Sequence, residues 1–189
     1  MSLGGSVSYC AHGFLSNSMN EADYRYLIAH HELGHACAVL HMRRLHGDPS
    51  YKFDWIGIGN VRGFEGGMVS GPFADPIAAA LISMAGPMAD ARLLGRPLHR
   101  PPPPIDPRED WATAMDALGR LPSAARPSLR TIAEVARSII DLYSGLIRAG
   151  AMRLLERGRL SFDDVLRLAE PQPPPSWRSP RFRRRATRV

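Results

Sequence analysis

Two histidines four residues apart, with a glutamate directly after the first, constrain this chain more than any other feature. They stand in His31-Glu32-Leu33-Gly34-His35, an HExxH motif. Four residues advance an α-helix by about 400°, so both imidazoles lie on one face, one turn apart. Two imidazoles at this spacing can reach one Zn²⁺, and the glutamate beside them can act on a water molecule as a general base. The motif therefore predicts a helix that carries a metal site.

Apolar residues at helical spacing precede the motif, and Asn20 is a suitable cap. This helix is predicted from near Asn20 to about Leu45, with an end at Gly47-Asp48-Pro49. The other predicted elements are, in order, a strand at Phe53–Val61, a strand at 66–70, and helices at 77–94, 107–118, 127–155 (with Gly150 as the candidate break) and 162–169. The pattern is typical of a mainly α (α+β) fold with a small edge sheet.

The net charge of +6 is concentrated at one end of the 189-residue chain. Residues 171–189 hold six of the 24 basic residues and no acid, so residues 1–170 carry 18 basic and 18 acidic groups. We interpret 1–19 as a flexible Gly- and Ser-rich arm, 20–170 as one domain, and 171–189 as a disordered Pro/Arg-rich tail. The tail is either plain solvated disorder or an attachment to nucleic acid, an anionic membrane or an acidic partner.

The compartment is predicted from what the sequence lacks. No apolar stretch is long enough for a transmembrane span, and the first ten residues do not resemble a secretory signal. Two cysteines, Cys10 and Cys37, do not form a disulfide framework. These features together favour a cytoplasmic protein.

A catalytic zinc site needs a third protein ligand and one open position. The candidate acids downstream of the motif are Glu65, Asp90, Asp106, Glu109, Asp110 and Asp116. Spacing along the chain does not choose among them, because a ligand need only be close in space. His30 is a weaker candidate than His31, since five residues separate it from His35 and place the two about 140° apart on the helix.

Several segments, in order, resemble the zinc peptidase domain of the FtsH-type AAA proteases. Ala29–Ala36 is similar to the family's HEAGHA helix, and Asp110–Ala114 is similar to the helix that opens with its third ligand. The other similar segments are Trp55–Val61, Gly66–Val69, Ala85–Asp90 and Leu154–Val165. The resemblance covers roughly residues 20–170.

The resemblance implies a zincin-like helical domain and a zinc metalloendopeptidase with one Zn²⁺ per chain. It implies His31, His35 and Asp110 as metal ligands and Glu32 as the general base. We expect a polypeptide substrate to pair along Trp55–Val61 as an edge strand. The chain contains no Walker A loop and no membrane anchor, so the resemblance is to the peptidase module alone, acting without ATP. The resemblance does not determine the oligomeric state, and a homo-oligomer is one possibility.

Three alternatives stay open at this point. The motif's HELGH form also resembles the ImmA/IrrE-type metallopeptidases, which cleave repressors and take a glutamate ligand about one helix downstream, where this chain offers only Glu65. The domain could be a non-catalytic binding or adaptor module that keeps its metal as a structural element. It could also be a metal-dependent amidase acting on a small substrate.

Overall fold

The computed structural model describes residues 7–10, 20–61, 64–95 and 108–170. Within these residues the chain is mainly helical with one small antiparallel sheet, as the sequence predicts. The helices are α1 Glu21–His46, α2 Pro76–Leu93, α3 Arg108–Gly119, α4 Leu129–Leu142, α5 Ser144–Arg157 and α6 Phe162–Ala169. The strands are β1 Val7–Cys10, β2 Phe53–Val61, β3 Phe64–Ser70 and β4 Arg159–Ser161.

Helix α1 forms the centre of the fold and carries the HExxH motif. The Asn20 side chain accepts a hydrogen bond from the backbone N–H of Asp23, and Gly47 ends the helix in the left-handed conformation. Residues 27–40 are buried around the whole circumference of the helix. Polar motif residues therefore lie in the core, where each needs a partner to offset its lost hydration.

Small residues let neighbouring helices approach α1 closely. A Cβ on Gly34 would lie 2.6 Å from the carbonyl oxygen of Ala85 in α2. On the other side, a Cβ on Gly150 of α5 would lie 2.5 Å from Leu33 Cδ1. Both distances are shorter than ordinary Cβ contacts. At Gly34 the obstacle is backbone, so only glycine fits there, whereas at Gly150 the Leu33 side chain would have to shift. Glycine here sets the depth to which α2 and α5 pack against the motif helix.

The predicted break at Gly150 is wrong. The interruption lies at Tyr143, which separates α4 from α5, and Gly150 is inside α5. The low helix propensity of Gly150 is outweighed by its packing on Leu33, because tertiary contacts override a propensity difference of about 1 kcal/mol. The glycine therefore marks a helix contact and not a helix end.

The sheet has the strand order β1-β3-β2-β4, with all neighbours antiparallel. The prediction that Trp55–Val61 is an edge strand is therefore wrong. Strand β4 pairs with the outer side of β2 at Trp55–Gly57, where Ile56 lies opposite the fully buried Leu160. A three-residue strand after a glycine turn carries too short a pattern to be recognised in the sequence. The described edges of the sheet are β1 and β4.

The two predicted terminal segments fall largely outside the described residues. Within 1–19 the structure describes only β1, which the sequence analysis did not predict. The tail 171–189 and the candidate ligand Asp106 lie outside the described residues. No helix in the described part of the chain has both the length and the apolar composition to cross a membrane.

Candidate metal centre

Two helices bring three metal-ligating side chains together in the core. His31 and His35 lie one turn apart on α1, and Asp110 comes from the first turn of α3. The two Nε2 atoms are 3.0 Å apart. The Asp110 carboxylate oxygens lie 3.1 Å from His31 Nε2 and 3.5 Å from His35 Nε2. The three buried side chains form a cluster that can hold a metal ion.

The far side of each imidazole ring is held by a hydrogen-bond acceptor. His31 Nδ1 lies 2.7 Å from Asp90 Oδ2, and His35 Nδ1 lies 2.7 Å from the carbonyl oxygen of Ile82. The carbonyl oxygen of Ile82 and an ionised Asp90 carboxylate can only accept, so opposite them each Nδ1 carries the proton and donates it. In a neutral ring the Nε2 atom is then a lone-pair acceptor that points into the cluster. These outer partners fix the tautomer that a metal ligand needs.

The donor set fits a tetrahedral divalent metal. Two imidazole Nε2 atoms and a carboxylate converge within 3.5 Å, an arrangement that a cation among them stabilises, whether a metal ion or a proton on His31. Burial lowers the pKa of His35, with the Asp110 carboxylate opposing the shift, so protonation of that ring does not readily supply the cation. Tetrahedral zinc with ligands at about 2.1 Å separates any two ligand atoms by roughly 3.4 Å. The observed separations match that requirement.

Glu32 lies beside this cluster and has an unusual environment. Its side chain is fully buried, and neither carboxylate oxygen has a hydrogen-bond partner among the described residues. Burial raises the pKa of Glu32 to about 8; His31 opposes the shift, whereas the carboxylates of Asp110 and Asp90 add to it. A buried acid with no partner is costly. A cation and a water molecule at the cluster would remove that cost.

A cavity of about 270 Å³ opens onto the centre. Glu32, His35 and Asp110 lie along its wall. The rest of the lining combines apolar side chains with a polar rim: Met68, Ser70, Gly71, Pro72, Phe73, Ala79, Ile82, Ser83, Glu109, Thr113, Asp116, Ala117 and Arg120. A ligand can therefore approach the centre along the wall on which His35 and Asp110 lie.

Gly86 of α2 packs directly over the two imidazoles. A Cβ at this position would lie 2.6 Å from His31 Nε2 and would also overlap with Nε2 and Cε1 of His35. Without a side chain at this position, the backbone of α2 can pack against the two rings. Gly86 lies in the segment Ala85–Asp90 that carries part of the family resemblance, but no signal in the sequence connects it with the metal site.

The other candidate ligands whose side chains the structure describes do not join the cluster. Asp90 is buried and binds the outer nitrogen of His31, so it positions a ligand without being one. Glu109 and Asp116 are exposed on α3. His30 points away from the cluster, with its Nδ1 3.0 Å from the carbonyl oxygen of Tyr26. The role of Asp90 was missed, although a lone acid in an apolar, small-residue helix signals a buried partner.

The structure brings His31, and not His30, to His35, and Asp110 is the described acid that lies with them. Cys37 is a buried free thiol whose pKa is raised by burial, as expected of a core side chain. No protein-family model matches the chain, and no curated protein matches it in sequence. The resemblance to the FtsH-type domain therefore stays a prediction.

The positions of Asp90 and Asp110 predict different effects on metal binding. We expect Asp110→Ala to reduce the bound metal to near zero, because a ligand is lost. Asp90→Asn should weaken metal affinity about 10–100-fold, because His31 loses a charged acceptor but keeps its ligand atom. Competition with a chromogenic chelator measures both affinities. Asp116→Ala, an exposed acid on the same helix as Asp110, is the matched control and should bind metal normally.

Proposed function

We propose that this chain is a zinc-dependent endopeptidase that hydrolyses peptide bonds in extended polypeptides. His31, His35 and Asp110 would hold the zinc, and Glu32 would act as the general base. The observation that carries this proposal is the Glu32 carboxylate, which is fully buried, unpartnered among the described residues and next to three convergent ligand atoms. A purely structural zinc site has no use for such a base.

Zinc at this position would supply a Lewis acid that polarises a carbonyl and lowers the pKa of water from about 16 towards 7. Glu32 accepts the proton from the attacking water and returns it to the leaving amine nitrogen. Asp90 and the Ile82 carbonyl keep the two imidazoles in the orientation that this requires. The apolar part of the cavity, including Met68 and Phe73, excludes water from the side chains of a bound polypeptide.

Two features favour a peptidase over the alternatives. Among the described side chains, the acid in the cluster is Asp110, the position that the FtsH-type resemblance implies. The cavity is bounded by a β-strand, β3, along which an extended polypeptide can lie. A non-catalytic adaptor would need neither the buried base nor the cavity beside it.

Metal removal tests the proposal directly. We expect elemental mass spectrometry to find about one zinc per chain, and a chelator to abolish cleavage of an unfolded protein substrate. Stoichiometric zinc should restore it. The metal-free protein should also unfold at a lower temperature, since a ligand present at a thousandfold excess over its Kd stabilises the native state by about 4 kcal/mol.

Asp110→Ala supplies the matched comparison, because it should behave like the chelated wild type in both assays. Cleavage that survives complete removal of the metal would contradict the proposal. A protein that binds one zinc but cleaves neither polypeptides nor small amides would instead be the structural adaptor.

A further inference from the structure

One wall of the cavity beside the centre is made by β3. Met68 and Ser70 of this strand line the cavity, and the facing wall comes from α2 and α3. One neighbour of β3 in the sheet is β2, which packs against α1, α5 and α6 and contributes none of the described lining residues. Because β2 occupies one edge of β3, an extended polypeptide could pair only with the edge that is turned away from β2.

Strand β3 also passes directly over the candidate base. A Cβ on Gly66 would lie 3.0 Å from Glu32 Oε1, so the backbone of β3 and this carboxylate are in contact distance. A polypeptide that paired with Gly66 and Met68 would carry its own backbone past Glu32. This is the position in which an extended substrate would be cut under the proposed function.

The structure places a strand of this same chain on that edge. Strand β1 pairs antiparallel with β3, with Val7 opposite Val69 and Cys10 opposite Gly66. We propose that β1 occupies the edge of β3 at which an extended polypeptide binds, and that it is an intramolecular competitor of that polypeptide. That the excluded polypeptide is a substrate rests on the proposed function. That β1 occupies the edge of β3 does not.

The expected strength of this competition follows from the tethering of β1. An attached segment acts at an effective concentration on the order of 1 mM. If the free segment binds with a Kd of about 0.1 mM, the edge is open in roughly one molecule in ten, and the affinity for an added polypeptide falls about tenfold. Release of β1 should therefore lower KM about tenfold and leave kcat unchanged.

The double variant Ser8→Pro/Tyr9→Pro in the full chain tests the pairing. Neighbouring residues of a strand direct their N–H groups to opposite sides, so one of the two prolines removes a donor that faces β3. Ser2→Pro/Leu3→Pro, which precedes the strand, is the matched control. We expect faster hydrogen exchange at Gly66–Val69 in the first variant only. Unchanged exchange there would overturn the proposal.

Binding is measured in a Glu32→Gln background so that hydrolysis does not consume the probe. The probe is a fluorescein-labelled peptide with the sequence of residues 1–12, followed by anisotropy with a non-thiol reductant. The Ser8→Pro/Tyr9→Pro chain should bind it about tenfold more tightly than the chain with intact β1. Equal affinities would overturn the proposal.

A second measurement does not depend on how the proline variant folds. In the Glu32→Gln chain with β1 intact, a saturating amount of the unlabelled peptide should displace β1 and raise hydrogen exchange at residues 7–10. A bound peptide that leaves this exchange unchanged would overturn the proposal.

Activity separates this inference from the proposed function. A tenfold lower KM with an equal kcat in Ser8→Pro/Tyr9→Pro supports both the proposed function and the competition by β1. An unchanged KM in a variant whose hydrogen exchange shows that the β3 edge is free overturns the competition. If no form of the chain hydrolyses a peptide, the proposed function fails, and the peptide-binding and exchange results still decide whether β1 competes for the edge.

Discussion

Glu32→Gln should leave the protein folded with about one zinc per chain and lower kcat for peptide hydrolysis by at least a hundredfold. Glutamine has nearly the same shape as glutamate, so the packing against Gly66 of β3 is kept. It cannot take a proton from water, and a positioned general base contributes about 10²–10⁴-fold to such reactions. Stopped-time assays with an unfolded protein substrate, together with elemental mass spectrometry of the same sample, measure both quantities.

The metal-free forms of the two proteins provide a control that does not depend on activity. The folded pKa of Glu32 is raised to about 8 from an ordinary value of 4.5, so between these values the unfolded chain releases a proton that the folded chain keeps. The metal-free wild type should therefore lose stability as the pH rises from about 4.5 to 8. The glutamine variant should lack that loss and be the more stable of the two at pH 8.

Denaturant unfolding of both metal-free proteins at pH 5 and pH 8 measures this difference. A wild type and a variant with the same pH dependence would show that Glu32 is not the unpartnered buried acid that the mechanism needs. Full peptidase activity in the variant would contradict the proposed role of Glu32 as the base.

Local signals predicted the motif helix well. Helix α1 begins after Asn20 and ends at Gly47, as capping chemistry predicts, and Asp75-Pro76 marks the start of α2. These signals act between neighbouring residues, so they are readable without the fold. The same holds for His31 and His35, whose common face follows from helix geometry alone.

Relations between distant segments were not readable in this way. Asp90 is 59 residues from His31, and nothing in the spacing distinguishes a ligand from the acid that orients a ligand. Strand β4 pairs with the outer side of β2 and has only three residues, and a strand of that length has no recognisable pattern in the sequence. Asp110 was favoured by the family resemblance, because spacing alone left Glu109 and Asp116 equal to it.

The second large effect that we expect is the loss of zinc when Gly86 of α2, which faces the two imidazoles, is replaced. Gly86→Ala should reduce bound zinc to less than about a tenth of the wild-type amount, although alanine is the better helix former. The added methyl group would overlap with the Nε2 atoms of both His31 and His35, which are the atoms that would face the metal. Relief of that overlap requires α2 to move away from α1, and overpacking of a core costs about 1–3 kcal/mol.

Gly145→Ala is the matched control, since Gly145 is also helical and a Cβ there meets no atom within 4 Å. That variant should bind zinc normally and be as stable as the wild type or slightly more stable. Zinc content, chelator competition and thermal unfolding of the two variants separate a general helix effect from one at the centre. Normal zinc affinity in Gly86→Ala would mean that α2 moves away from α1 without changing the positions of the two imidazoles. The close approach of α2 would then be a packing feature and not a requirement of the metal site.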